Sequence, residues 1–172
     1  MAHRNIFGRA GIFFLVFLLL HFLYDFIPHP VVGIFAATSE SVFQHLKIGF
    51  YSYMAAGILE TRVLRSYLPL VFSRKLYPLL FTATVVPWML FLLYYVLPAL
   101  FGEIENMLLH VGYTIGITYI AGLCAAILRE EIGKAPLSFA FKAATLILWA
   151  ATLLITVVFN TAAPPLDLFE LP

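Results

Sequence analysis

One run constrains this chain more than any other feature. Ile12-Phe13-Phe14-Leu15-Val16-Phe17-Leu18-Leu19-Leu20 is unbroken by a polar side chain, and it sits inside an apolar stretch from Ile6 to Ile27. A helix of about 20 mainly apolar residues spans the ~30 Å hydrocarbon layer of a bilayer. Four further stretches of that kind follow, so helices are expected at approximately 6–27, 41–59, 77–100, 107–128 and 137–159. Lipid offers no hydrogen-bond partner to backbone N–H and C=O groups, which makes helices the default spanning structure. The alternation of a transmembrane barrel strand is absent.

Composition agrees. The chain is 63% hydrophobic and 11% charged, against roughly 45–50% and about 25% in soluble domains. So few charges cannot cover a soluble core, which excludes a soluble globular domain and a disordered chain. The net charge of +1 and the lack of a basic patch exclude a nucleic-acid binder, leaving membrane lipid as the expected surroundings. The single Cys124 excludes a disulfide within one chain.

The reading is therefore an all-α integral membrane bundle of about five transmembrane helices in a single domain, residues 1–172. The first helix is read as retained rather than cleaved, because Leu23-Tyr24-Asp25-Phe26-Ile27-Pro28 offers no small-residue cleavage site. Pro28 and Pro30 stop it, and Pro87 is expected to kink the third helix. The segment 28–39 is apolar but too short to span, and is expected to be re-entrant or interfacial. Residues 160–172 are Pro-broken and read as a poorly ordered extracytoplasmic tail. Arg4 and Arg9, then Arg62, Arg65, Arg74 and Lys75, then Arg129, Lys134 and Lys142 fall on one side if the N-terminus is cytoplasmic. By the positive-inside rule this predicts an N-in, C-out protein of the cell membrane. Asp25, Glu40, Glu103, Glu105, Asp167 and Glu170 fall at or beyond the opposite face.

Ionisable groups inside a bilayer are costly, so they point to function. His21 and Asp25 are i, i+4 neighbours on the first helix. At ~1.5 Å per residue, His21 lies about 10 Å below the outer end of its helix. The stretch Ser39-Glu40-Ser41-Val42-Phe43-Gln44-His45-Leu46-Lys47 makes a broad polar face on the second helix. His110, Tyr113 and Thr114 lie near the outer end of the fourth. All three sets fall at one depth, which predicts a polar pocket in the outer third of the membrane.

Three histidines and a carboxylate suit zinc, with a water in the open position. In that reading His21, Asp25, His45 and His110 hold the metal, Glu40 is a general base, Ser41 holds the water or an oxyanion, and Lys47 completes the catalytic set. The expected function is metal-dependent hydrolysis of a lipid-like substrate. Simpler roles stand beside it. Glu40 stabilises a helix start, Lys47 forms an ion pair with Glu40, Asp25 or Glu103, and His21 with Asp25 fastens helices together. The same groups would also serve a proton- or ion-coupled solute transporter, for which a homo-oligomer would supply further helices. A haem protein with paired histidines and a non-enzymatic membrane assembly subunit are the remaining readings.

The stretch from Ser39 to Lys47, following His21-Phe22-Leu23-Tyr24-Asp25, resembles the signature of an uncharacterised prokaryotic family of small multi-pass membrane proteins. That signature reads Asn-Glu-Ser-Val-Trp-Glu-His-Leu-Lys after a His-x-Leu-Tyr-Asp helix. Ser39, Phe43 and Gln44 depart from it, and Gln44 replaces a carboxylate, which puts a direct acid role for that side chain in doubt. The resemblance covers residues 15–60 and implies membrane topology without an assigned activity. Ser41 and His45 are also loosely similar to the Ser-x-x-x-His of alkaline ceramidases and progestin/adiponectin-type receptors. Those seven-helix, zinc-binding proteins carry a His-x-x-x-His pair in their last helix, where this chain has no histidine. The similarity implies zinc rather than haem.

Overall fold

Each long apolar stretch folds as one continuous helix. A computed structural model describes residues 6–63, 71–102, 104 and 106–162. The elements are α1 (Ile6–Phe26), α2 (Pro30–Phe35), α3 (Val42–Val63), α4 (Val71–Phe101), α5 (Met107–Lys134) and α6 (Phe139–Thr161). Among the described residues there is no strand. Arg4, Arg65, Glu103, Glu105, Asp167 and Glu170 lie outside the described residues.

The protein is an all-α membrane bundle. Among the described residues, four helices are long and apolar enough to cross a membrane: Ile6–Phe26, Lys75–Phe101, Met107–Lys134 and Phe139–Thr161. α3 is as long but more polar, and the reason lies in its position. It packs against both α1 and α4, and Ile48, Phe50, Tyr51, Ser52 and Tyr53 are all buried. A helix wrapped by protein needs no lipid-compatible surface on every side.

α1, α3, α4 and α5 close a ring, each touching the next. α6 packs outside it against α4, and its Ile147, Leu154 and Ile155 are exposed. That apolar exposure is what a lipid-facing helix requires, because lipid replaces water as the solvent. Core packing depends on close approach. A Cβ on Gly122 would come within 2.6 Å of the Phe13 ring and 3.5 Å of the Ala10 backbone, so α5 lies directly on α1. Phe13 then meets Tyr53 of α3 edge-on at 5.6 Å between ring centroids.

The segment 28–39 contains a six-residue helix, α2, which touches α1, α3 and α6. Pro30 opens it and the His29 side chain accepts a bond from the Val31 amide at 3.2 Å. α4 holds Pro78, Pro87 and Pro98 without a break. Pro98 has no N–H to offer the Tyr94 carbonyl one turn back. The Tyr113 hydroxyl of α5 donates to that carbonyl at 3.3 Å and also to Leu93 O. Tyr113 thus brings one donor from α5 to the proline break, shared between two carbonyls. At the other end of the chain, Asn160 and Thr161 belong to α6, and residues 163–172 lie outside the described residues.

Candidate metal centre

His21 comes from the last turns of α1, His45 from the first turn of α3, and Glu40 from the loop just before α3. The ring closure described above runs α1 and α3 antiparallel, which brings these ends together. His21 Nε2 lies 3.1 Å from His45 Nε2. Glu40 Oε2 lies 3.5 Å from His21 Nε2 and 3.6 Å from His45 Nε2. A tetrahedral zinc with bonds of ~2.0–2.2 Å to nitrogen and oxygen separates its ligand atoms by about 3.3–3.6 Å. The two sides that meet at Glu40 have that size, and the His21–His45 side, at 3.1 Å, is slightly shorter.

Local hydrogen bonds prepare it. His45 Nδ1 lies 2.9 Å from Ser41 O. A carbonyl only accepts, so Nδ1 carries the proton and Nε2 presents a lone pair towards His21 and Glu40. His21 is oriented differently, by tilted ring contacts: Phe22 lies at 4.7 Å and Phe17 at 6.4 Å between centroids. Its Nδ1 is buried with no hydrogen-bond partner among the described residues. The Glu40 side chain is 66% exposed, against 16% for His21 and 30% for His45. The triangle thus opens on its carboxylate side.

The remaining expected site residues lie elsewhere. Asp25 is exposed one turn beyond His21 and is not part of the triangle. His110 lies outside it too, with its Nε2 3.4 Å from the Tyr94 hydroxyl. Ser41 Oγ accepts from Ser39 Oγ at 3.3 Å, so the part of Ser41 that serves the triangle is its carbonyl. Lys47 forms no described ion pair. It is fully buried, and its ammonium donates to Gly33 O at 2.7 Å and to Asn160 Oδ1 at 2.6 Å. Asn160 was assigned to the tail by its neighbouring prolines. No sequence signal links it to Lys47, because that contact joins residues 113 positions apart on different helices.

A second polar layer lies at the opposite end of the bundle. Arg9 Nε donates to Glu60 Oε1 at 3.0 Å, and Arg129 donates to Glu60 Oε2 at 2.8 Å. Arg9 also reaches Glu130 at 3.4 Å. Glu60 and Arg129 are both buried. In sequence these groups look like ordinary charges at loop boundaries, and only the packing of α1, α3 and α5 shows them to be one network. At ~1.5 Å per residue the layer is about 18 Å from the histidines along α1.

The described interior between the layers is apolar, with Phe13, Phe17, Ile48, Phe50 and Val86 all buried. Several buried hydroxyls bond to their own helices, Ser52 to Ile48 O, Thr82 to Pro78 O at 2.7 Å and Thr118 to Thr114 O at 2.7 Å, while the Tyr51 hydroxyl and Thr156 Oγ1 pair between α3 and α6 at 3.0 Å.

In comparison with known proteins, no family model, no curated protein and no solved structure matches the chain.

Proposed function

We propose that this protein binds a zinc-class divalent ion at His21, His45 and Glu40 and uses it for hydrolysis of a lipid-like substrate at the outer membrane face. The observation that carries the reading is the ligand triangle of 3.1, 3.5 and 3.6 Å. Two imidazoles and one carboxylate are a donor set of catalytic zinc sites, which leave a fourth position for water or substrate. When bound, such an ion polarises a carbonyl or phosphoryl oxygen and lowers the pKa of water. Glu40 changes role in this reading, from general base to ligand. The open carboxylate side, and the exposed Phe22 and Phe26 on the same end of α1 as His21, favour an amphiphile as substrate.

The orientation is part of the proposal. Arg9, Arg129 and Lys134 gather at one end of the bundle, which the positive-inside rule assigns to the cytoplasm. The N-terminus is then cytoplasmic in the cell membrane, and the histidines lie at the outer side. The apolar interior between the two layers favours an enzyme over a transporter, since transport needs a polar path.

The test is hydrolysis of short-chain ester and amide lipids by purified protein in detergent. Activity is expected to disappear with chelator, to return with added zinc, and to be absent in His45→Ala. Activity that persists through chelation and in His45→Ala would overturn the reading.

A further inference from the structure

Glu40 is mostly exposed and sits on a loop, yet its carboxylate meets both histidines. A free glutamate side chain loses conformational entropy when it is fixed. Something must hold this loop in place. We propose that Gln44, Lys47 and Asn160 form a positioning network whose task is to hold Glu40 against His21 and His45. The proposal rests on the metal reading above and deepens it.

The bonds run in one chain from the end of α6 to the Glu40 loop. Asn160 Oδ1 accepts from Lys47 Nζ at 2.6 Å and from Gln44 Nε2 at 3.4 Å. Gln44 Oε1 in turn accepts from the Thr38 amide at 3.3 Å, two residues before Glu40. Lys47 Nζ also donates to Gly33 O at 2.7 Å, which anchors α2, the element that leads into the loop. On the other side, the Ala37 amide donates to Leu20 O at 3.1 Å, next to His21. The loop is therefore tied to α1, α3 and α6 at once. A fully buried ammonium held by two neutral oxygens is expensive inside a bundle. Packing α6 alone would need no such group, since an apolar side chain of similar length would pack as well. The position of Lys47, between α2 and Asn160, is explained by what it orders.

Asn160 supplies the sharpest variants, because it touches neither histidine nor Glu40. Zinc affinity is measured by competition with a chromophoric chelator on the full chain in detergent. Amide hydrogen exchange of residues 36–41 is measured on the same samples without metal. Asn160→Leu removes the shared acceptor, and is expected to weaken zinc about 10–100-fold, the usual effect of losing a group that orients a ligand. It should also speed exchange at Thr38 while leaving α4 and α5 protected. Asn160→Asp keeps the acceptor and should restore both. A role confined to stability would lower the melting temperature of Asn160→Leu without altering zinc affinity below the melt. Wild-type affinity in Asn160→Leu, or unchanged exchange at Thr38, overturns the network. If the native protein binds no zinc, the metal reading fails by itself. Exchange then decides the network alone: faster exchange at Thr38 in Asn160→Leu sustains it, and unchanged exchange overturns it.

Discussion

His45 faces two ways. Its Nδ1 meets the Ser41 carbonyl at 2.9 Å and its Nε2 meets His21 at 3.1 Å. One ring thus links a backbone that fixes its tautomer to the ring of His21. Replacing it by Ala is expected to abolish metal binding, whereas His110→Ala and Asp25→Asn should leave the affinity unchanged; isothermal titration with zinc checks all three. The pH dependence follows from the same chemistry. Imidazole ligates only when neutral, so protons compete with the ion. Affinity should fall on acidification, as protons displace the ion from the ring nitrogens. At this scale the sequence was partly legible. A histidine in each of two apolar helices and a glutamate at a helix start are costly enough to notice. Which histidine joins them is a matter of helix neighbours, and His110 turns to Tyr94 instead.

At the scale of helices, the contacts that join elements carry the stability. Glu60 bonds to Arg9 of α1 and to Arg129 of α5 through its two oxygens. Removing it leaves the buried Arg129 without this carboxylate and Arg9 with Glu130 alone. Glu60→Ala is therefore expected to destabilise the bundle by about 3–5 kcal/mol, as breaking buried pairs does. Thermal unfolding in detergent measures this. Gly122→Val should cost about 1–3 kcal/mol, because its Cβ meets the Phe13 ring and the Ala10 backbone and the core cannot easily yield. Tyr113→Phe should cost less, about 0.5–1.5 kcal/mol, the usual net value of a hydrogen bond. The helices themselves were plain from the sequence, since hydrocarbon thickness sets their length. α1 and α6 end close to their expected bounds, while α5 runs past 128 to Lys134. There Arg129, Glu130 and Lys134 continue the helix through ion pairs rather than apolar burial. The ion network was not legible, because it is made by three helices whose adjacency no single stretch reveals.

Across the whole molecule, the scarce polar groups sort into two layers with an apolar interior between them. One layer, Arg9, Glu60, Arg129 and Glu130, is closed on itself: each acid faces at least one arginine. The other, His21, Glu40 and His45, is open and lacks a cation of its own, because Lys47 is turned towards Gly33 and Asn160. A balanced layer fastens helices, and an unbalanced ligand triangle calls for a positive ion. That contrast is the reason to place chemistry at the histidine end. The direct measurement is metal content of the purified protein by mass spectrometry after exposure to zinc and exhaustive dialysis. One zinc per chain is expected, lost in His21→Ala and in His45→Ala and retained in His110→Ala. No bound zinc, or zinc that survives the loss of both His21 and His45, would contradict the assignment.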